Sequence, residues 1–338
     1  MTRQLIDDVM AEAHGRMLGD GMWYPDLREI LDRVQHWGQW FDVWAEFGER
    51  YERLGDEALA RGWKVSAGEY YWRACLHYHY GQFLYFRCPE RREAGQRKKQ
   101  ELYQMAAPLL VPPAERLDIP IEETSVPGYL RLPPGIAKAP CAILIGGLET
   151  TKEESYGFEN MLLRRGVATL AFDGPGQGEM WFRCKMQPDF ERYTSRVIDF
   201  LECRPEIDPS RIGVLGRSLG GYYAARSAAF DRRLISCVCW GCIFRIPDFW
   251  DRIHVATQDG LAYVCGAASH AEAKERYIFH GKQDWLIPVE EAHKLRDAAT
   301  QAPQTVVIPE DAIHCGHNVF ERIRTPMADW LAHHLGAQ

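Results

Sequence analysis

No run of the 338-residue sequence is apolar over the roughly 18–20 residues that a bilayer span needs, so no membrane-spanning helix is expected. A basic excess is also missing. Lys and Arg number 40 against 47 Asp and Glu, a formal charge of −7, whereas nucleic-acid binders carry a basic footprint. The opening Met1-Thr2-Arg3-Gln4-Leu5-Ile6-Asp7-Asp8 has charges where a signal peptide needs an apolar core of roughly 7–15 residues. A cytoplasmic location is therefore expected, with the 10 cysteines present as thiols. Their spacing lacks the paired pattern of a zinc ribbon. Cys237, Cys239 and Cys242 fall in or beside an apolar run and read as packing residues, so no metal is expected. Internal repeats and low-complexity tracts are absent as well. What remains is ordinary globular composition, 46% hydrophobic and 26% charged, in a chain long enough for one large core and a smaller appended domain.

The chain divides near residue 115. Before that point Leu27, Ile30, Leu31, Val34, Phe41, Trp44, Phe47 and Tyr51 recur at helical spacing, with Gly55 and Gly62 interrupting the pattern. Ser66-Ala67-Gly68-Glu69 has the form of a capping box, predicting an aromatic-rich helix that carries Tyr71, Cys75, Tyr78 and Phe83. Another helix is expected over Arg91 to Ala107, where Arg97-Lys98-Lys99 reads as a solvated face. Six of the 11 tryptophans lie in this region: Trp23, Trp37, Trp40, Trp44, Trp63 and Trp72. They suit either a helical core and an oligomer interface or an aromatic roof over a pocket.

After Pro108, Pro112, Pro113 and Pro120 the pattern changes to short apolar runs alternating with helices. Ala142–Ile145, Ala168–Phe172, Ile212–Leu215, Ile235–Trp240, Tyr277–Phe279 and Thr305–Ile308 read as parallel strands covered on both faces. The segment from Leu117 to Leu132, broken at Pro127-Gly128, reads as an antiparallel hairpin at the start of the sheet. The expected domains are 1–115, a helical lid and dimerisation domain, and 116–338, an α/β catalytic domain.

Gly216-Arg217-Ser218-Leu219-Gly220 matches G-x-S-x-G between a predicted strand and a predicted helix. In that context the serine hydroxyl is lifted above the sheet on a strained turn, as a nucleophile. A serine at its ordinary pKa needs a base and a residue that orients the base. Asp284, in a loop after the run Tyr277–Phe279, is the expected acid. Two histidines compete as base after the last predicted strand; His314 is reached first and is favoured over His317 on position. The other histidines, His333 and His334 among them, read as surface residues. The backbone N–H groups of Leu219 and of Leu148, in Gly146-Gly147-Leu148, are the expected oxyanion donors. Asp173-Gly174-Pro175-Gly176-Gln177-Gly178-Glu179 has neither a phosphate-loop nor a dinucleotide pattern and reads as a structural turn beside the pocket.

Several of these motifs carry a resemblance. Gly146-Gly147-Leu148-Glu149-Thr150-Thr151-Lys152-Glu153-Glu154-Ser155, the Asp173–Glu179 turn, Gly216–Gly221 and Met327-Ala328-Asp329-Trp330-Leu331 resemble the 2,6-dihydroxypseudooxynicotine hydrolase family. The sequence is also similar to fungal polyketide-shortening hydrolases and to FrsA-like esterases. The resemblance runs from about Leu59 to the C-terminus and implies an α/β-hydrolase fold, with a mostly parallel sheet and an N-terminal helical domain. It implies cofactor-free hydrolysis of a carbon–carbon bond next to a ketone, in a small aromatic or polyketide-like substrate. It maps the triad to Ser218, Asp284 and His314, the last through Asp311-x-x-His314 with Asn318 four positions on. The family's nicotine-pathway enzyme has an extra glutamate supporting its histidine. Here the stretch from Trp250 to Tyr277 is shorter, and Asp248 and Asp251 are the carboxylates nearby. Acyl transfer to Ser218 serves an ester or lactone hydrolase equally, and a non-catalytic FrsA-like regulator is the reading from another class. A homodimer is expected, with no nucleic-acid or membrane partner.

Overall fold

The structure is a computed structural model that describes residues 3–241, 250, 255–270, 305, 307, 309 and 311–337. Its N-terminal part is helical: α1 (Arg3–Gly19), α2 (Tyr24–Arg33), α3 (Trp40–Ala60), α4 (Lys64–Gln82) and α5 (Pro89–Ala106). An antiparallel pair follows, β1 (Ala114–Ile121) and β2 (Thr124–Arg131). The remaining elements are β3 (Ala139–Ile145), α6 (Tyr156–Leu163), β4 (Ala168–Phe172), α7 (Glu191–Glu202), β5 (Ile207–Arg217), α8 (Leu219–Phe230), β6 (Leu234–Trp240), α9 (Val255–Cys265) and α10 (Phe320–His334). The described strands form one sheet in the order β1-β2-β4-β3-β5-β6, with β4, β3, β5 and β6 parallel.

Both faces of β3, β4 and the second half of β5 are buried, which explains their nearly continuous apolar sequence, whereas Ile235 of β6 is 51% exposed. Side chains alternate between the faces. Cys141, Ile143 and Ile145 of β3 pack with Val197, Ile198, Tyr223 and Ala224 of α7 and α8. Ala142 and Leu144 pack with Phe158 and Leu162 of α6 and with Ala328 and Leu331 of α10. The helical region has its own core, and Ala114 and Tyr129 from the first two strands join it. The expected strand at Tyr277–Phe279 lies wholly outside the described residues, and that at Thr305–Ile308 partly so.

The structure departs from the sequence reading in five places. The hairpin turns at Glu122-Glu123, and Pro127-Gly128 sits inside β2. Pro127 is tolerated because it lies just beyond the β2–β4 ladder, which ends at Gly128–Phe172, while its carbonyl still accepts from Asp173 N at 3.0 Å. Gly55 does not interrupt α3; the ring of Tyr71 packs against it where a side chain would stand. The fourth helix starts at Lys64, capped by Trp63 without a side-chain bond, so Ser66 lies inside the first turn and caps nothing. Lys99 is not part of a solvated face: it is fully buried, and Nζ donates to Thr151 Oγ1 at 2.7 Å. His77 and His79 are buried too, whereas His333 and His334 are exposed.

The tryptophans also divide. Trp37 stacks on Trp40 at 5.0 Å and Trp44 adjoins Trp40 at 5.5 Å, all in the helical core. Trp72 packs on Tyr156 at 4.6 Å, and Trp23 and Trp63 are exposed. Packing of the bundle therefore accounts for Trp37, Trp40 and Trp44.

Candidate active site

β5 runs into Ser218 and α8 starts directly after it, so the serine sits at a strand-to-helix turn. Ser218 adopts φ 56° and ψ −121°, a conformation that side-chain-bearing residues rarely take. The turn is tight enough to exclude side chains on both flanks. A Cβ on Gly216 would stand 1.8 Å from the Gly220 carbonyl oxygen, and one on Gly220 would stand 2.3 Å from that of Ile145. The two glycines of the motif are thus required by close backbone approach.

His314 opens a short turn, His314–Val319, ahead of α10. Its Nε2 lies 3.0 Å from Ser218 Oγ, and both residues are partly exposed. His317 is buried against the rings of His314 and Phe320, so the structure brings His314 and not His317 to the serine. The turn is shaped by Cys315 and Gly316, both at positive φ, 52° and 63°. Asn318 braces it: its Oδ1 accepts from Ile313 N at 2.9 Å, and its Nδ2 donates to the Asp311 carbonyl at 2.6 Å. That bracing gives the Asp311-x-x-His314 spacing a structural reason. Burial pushes the His314 imidazole down to about 4, and Arg16 and Arg217 add to this while Glu149 opposes it. The ring is therefore neutral at pH 7, as a proton acceptor must be.

Trp240 joins the two halves of the site, and nothing in the sequence reading singled it out. Its carbonyl accepts from Ser218 N at 2.8 Å, and its indole N–H donates to the Cys315 carbonyl at 2.7 Å. One residue at the carboxyl end of β6 thereby ties the Ser218 turn to the turn that carries His314.

The loop after β3 lies against the elbow. A Cβ on Gly147 would stand 3.3 Å from Ser218 Cβ. Leu148 is buried, and Leu219 is the first residue of α8, where helix N–H groups are unpaired by the helix itself. Gln177 Nε2 donates to the Gly146 and Gly147 carbonyls at 2.5 and 3.2 Å. Lys152 Nζ donates to Asp173 at 2.7 Å, and Asp173 also accepts from the backbone N–H groups of Lys152 and Glu179 at 2.9 and 3.0 Å. The two sequence motifs are therefore the two sides of one brace. The Asp173–Glu179 turn holds the loop from which Leu148 comes. Asp284, Asp248 and Asp251 lie outside the described residues. Among the described residues, no three His, Cys, Asp or Glu side chains are grouped to hold a metal ion.

The family described as "Esterase FrsA-like" matches residues 27–250. A "2,6-dihydropseudooxynicotine hydrolase" from Paenarthrobacter nicotinovorans is 41% identical over 335 residues, 94% of this chain and 90% of the relative. "Hydrolyase ccsE" of Aspergillus clavatus is 36% identical, over 67% of this chain and 57% of that protein. The crystal structure of a 2,6-dihydroxy-pseudo-oxynicotine hydrolase superposes with a TM-score of 0.86 at 38% identity, covering 95% of each chain. The protein titled AbyA5 shares the fold at 19% identity, with a TM-score of 0.74 over 99% of this chain and 95% of that one.

Proposed function

The chain belongs to the FrsA-like esterase family and has the α/β-hydrolase fold, and on that premise we propose that it hydrolyses a carbon–carbon bond adjacent to a ketone in an aromatic or polyketide-like substrate. The observation that carries the reading is the 3.0 Å contact between His314 Nε2 and Ser218 Oγ on a strained elbow. Ser218 Oγ adds to the ketone carbonyl as His314 Nε2 takes its proton. The oxyanion that forms is held by the backbone N–H groups of Leu148 and Leu219. The bond to the neighbouring carbon then breaks, and the His314 imidazolium protonates that carbon as it leaves. Water, deprotonated by His314, hydrolyses the acyl-serine and releases a carboxylic acid. Asp284 is the proposed partner for His314 Nδ1; a carboxylate there would raise the imidazole's basicity.

A carbanion leaves well only if its charge is delocalised, so the substrate must carry a ketone or phenol beyond the scissile bond. The resemblance to pseudooxynicotine hydrolases supports this choice. The ring of Phe86, from the helical region, meets Tyr263 at 5.4 Å, and Gly260 lies against both Phe86 and Leu148. An aromatic wall beside the oxyanion loop suits an aryl ketone. Ester or lactone hydrolysis is the second reading, favoured by the esterase description of the family.

Residues 1–115 are proposed to close the mouth of the site and to form a homodimer contact in the cytoplasm. Trp23, Tyr24, Trp63 and Val65 are 55–56% exposed there, and sedimentation of the purified protein tests the dimer. The test of the reaction is kcat/KM for an aryl β-diketone against a matched aryl ester. Faster diketone cleavage is expected. An ester faster by roughly 100-fold, about 2.7 kcal/mol of transition-state preference, replaces the proposal with an esterase.

A further inference from the structure

Arg217 precedes the serine, and its guanidinium is engaged away from the chemistry. Nη2 donates to Thr150 Oγ1 at 3.1 Å and to Glu154, and Nη1 lies 3.5 Å from Asp20 of the segment after α1. Arg16 of α1 reaches the same loop. Its Nε and Nη2 each donate to Glu154 at 2.9 Å, Nη2 donates to Thr150 Oγ1 at 3.1 Å, and Nη1 donates to Glu149. His79 Nε2 of α4 completes the cluster, 3.0 Å from Glu154 Oε2. Arg16 and Glu154 are each 3% exposed.

Buried charges of this kind are tolerated only when paired and fully hydrogen-bonded. Burial opposes ionisation of Glu154, and Arg16, Arg217 and His79 overcome it, holding the carboxyl well below its usual range. The arrangement does more than join two layers of the fold. Glu149 and Thr150 directly follow Leu148, and Arg217 lies between the elbow glycine and the nucleophile. The two proposed oxyanion donors come from these two separate segments. Their spacing depends on whatever ties the segments together, and the shared acceptors of Arg16 and Arg217 are such a tie.

We propose that Arg16 is a positioning residue for the reaction at Ser218: from α1 it locks the Leu148 loop to the nucleophile elbow, so that both oxyanion donors face one point. The inference rests on Ser218 being the nucleophile. The N-terminal helix is then part of the catalytic scaffold, and its contribution is a guanidinium fork across three acceptors, which a lysine does not replace.

The test compares Arg16→Ala and Arg16→Lys in the full chain with wild type. The readouts are kcat and KM for an aryl ester, the rate of fluorophosphonate labelling of Ser218, and thermal unfolding. Displacement of a catalytic group by about 1 Å costs on the order of 100-fold, so Arg16→Ala is expected to lower kcat and the labelling rate by roughly that factor, with KM within about threefold. Millimolar guanidinium added to Arg16→Ala is expected to restore both rates by roughly tenfold, which a purely structural lesion would not allow. Arg16→Lys falls between. If Arg16→Ala does not fold, Thr150→Val decides, because it removes the hydroxyl shared by both arginines at constant volume. A slower labelling rate in folded Thr150→Val is expected, and an unchanged rate overturns the proposal. So do Arg16→Ala rates within about threefold of wild type. Failure of wild type to label at Ser218 overturns the nucleophile itself, a separate result.

Discussion

Gly15 stands on α1 where the helix crosses the histidine turn, and replacing it by alanine sets two effects against each other. In an exposed helix the change stabilises by roughly 1 kcal/mol, because glycine loses more backbone freedom on folding. Here the added Cβ would stand 2.0 Å from the carbonyl oxygen of His317 and 2.9 Å from its carbon. Backbone carbonyls do not yield as flexible side-chain tips do. To reach an ordinary contact of about 3.4–4 Å, α1 and the turn must separate by more than about 1 Å. That turn carries His314, whose Nε2 is 3.0 Å from Ser218 Oγ. If the turn takes up the movement, the separation grows toward about 4 Å, past hydrogen-bond range. Misplacement on this scale costs on the order of 100-fold. Gly15→Ala is therefore expected to lower kcat/KM for an aryl ester by about two orders of magnitude, with a thermal midpoint unchanged or lower. Fluorophosphonate labelling of Ser218 and a melting curve measure both on one sample. A variant that is more stable than wild type and labels at the wild-type rate would refute the packing argument, since helix propensity alone would then account for everything.

Ser218→Ala and His314→Ala should each reduce turnover by several orders of magnitude and leave the melting curve near wild type, while His317→Ala should cost far less activity; the opposite ranking of the histidines on an aryl ester would reassign the base. Trp240→Phe removes the indole donor and leaves the Cys315 carbonyl unsatisfied, so a loss of about 1–3 kcal/mol in urea unfolding is expected, with slower labelling of Ser218. Unchanged stability would mean that the bond contributes nothing. Burial raises the Asp20 carboxyl to about 7, with Glu154 adding to the shift and Arg217 and Arg324 opposing it. Stability from such a group is fully present below the unfolded carboxylate range and is lost as pH rises through 7, so the advantage of Asp20→Asn in thermal midpoint should grow from pH 4 to pH 7 and then level off. A pH-independent difference would show that Asp20 is ionised throughout. Burial likewise lowers His77 to about 4, so its contribution is present above the unfolded value of 6.5 and lost as pH falls toward 4; His77→Gln should unfold less steeply with acid over that window.

Much of the fold and of the elbow is legible in the linear chain because its causes are local. A strand covered on both faces is apolar at nearly every position, and β3, β4 and the Ile212–Leu215 part of β5 read that way directly. The elbow needs strand, turn and helix within about fifteen residues, and the glycines that permit it are its immediate neighbours. Pairing Ser218 with a histidine from the C-terminal end follows from the order of elements. The choice of ring does not. His314 and His317 are three residues apart, and the positive φ of Cys315 and Gly316 turns one toward Ser218 and the other into the core. The sequence also shows a dense cluster of charge in Glu149–Glu154 without showing where it goes. A charged side chain is solvated by default, and the reading of Lys99 as exposed followed that rule. Only the tertiary structure brings Arg16, His79, Lys99 and Arg217 against that loop, from positions 52 to 138 residues distant. Burial of a charge is decided by the arrival of its partner. That partner is chosen by the packing of helices on a sheet, and no local pattern encodes it.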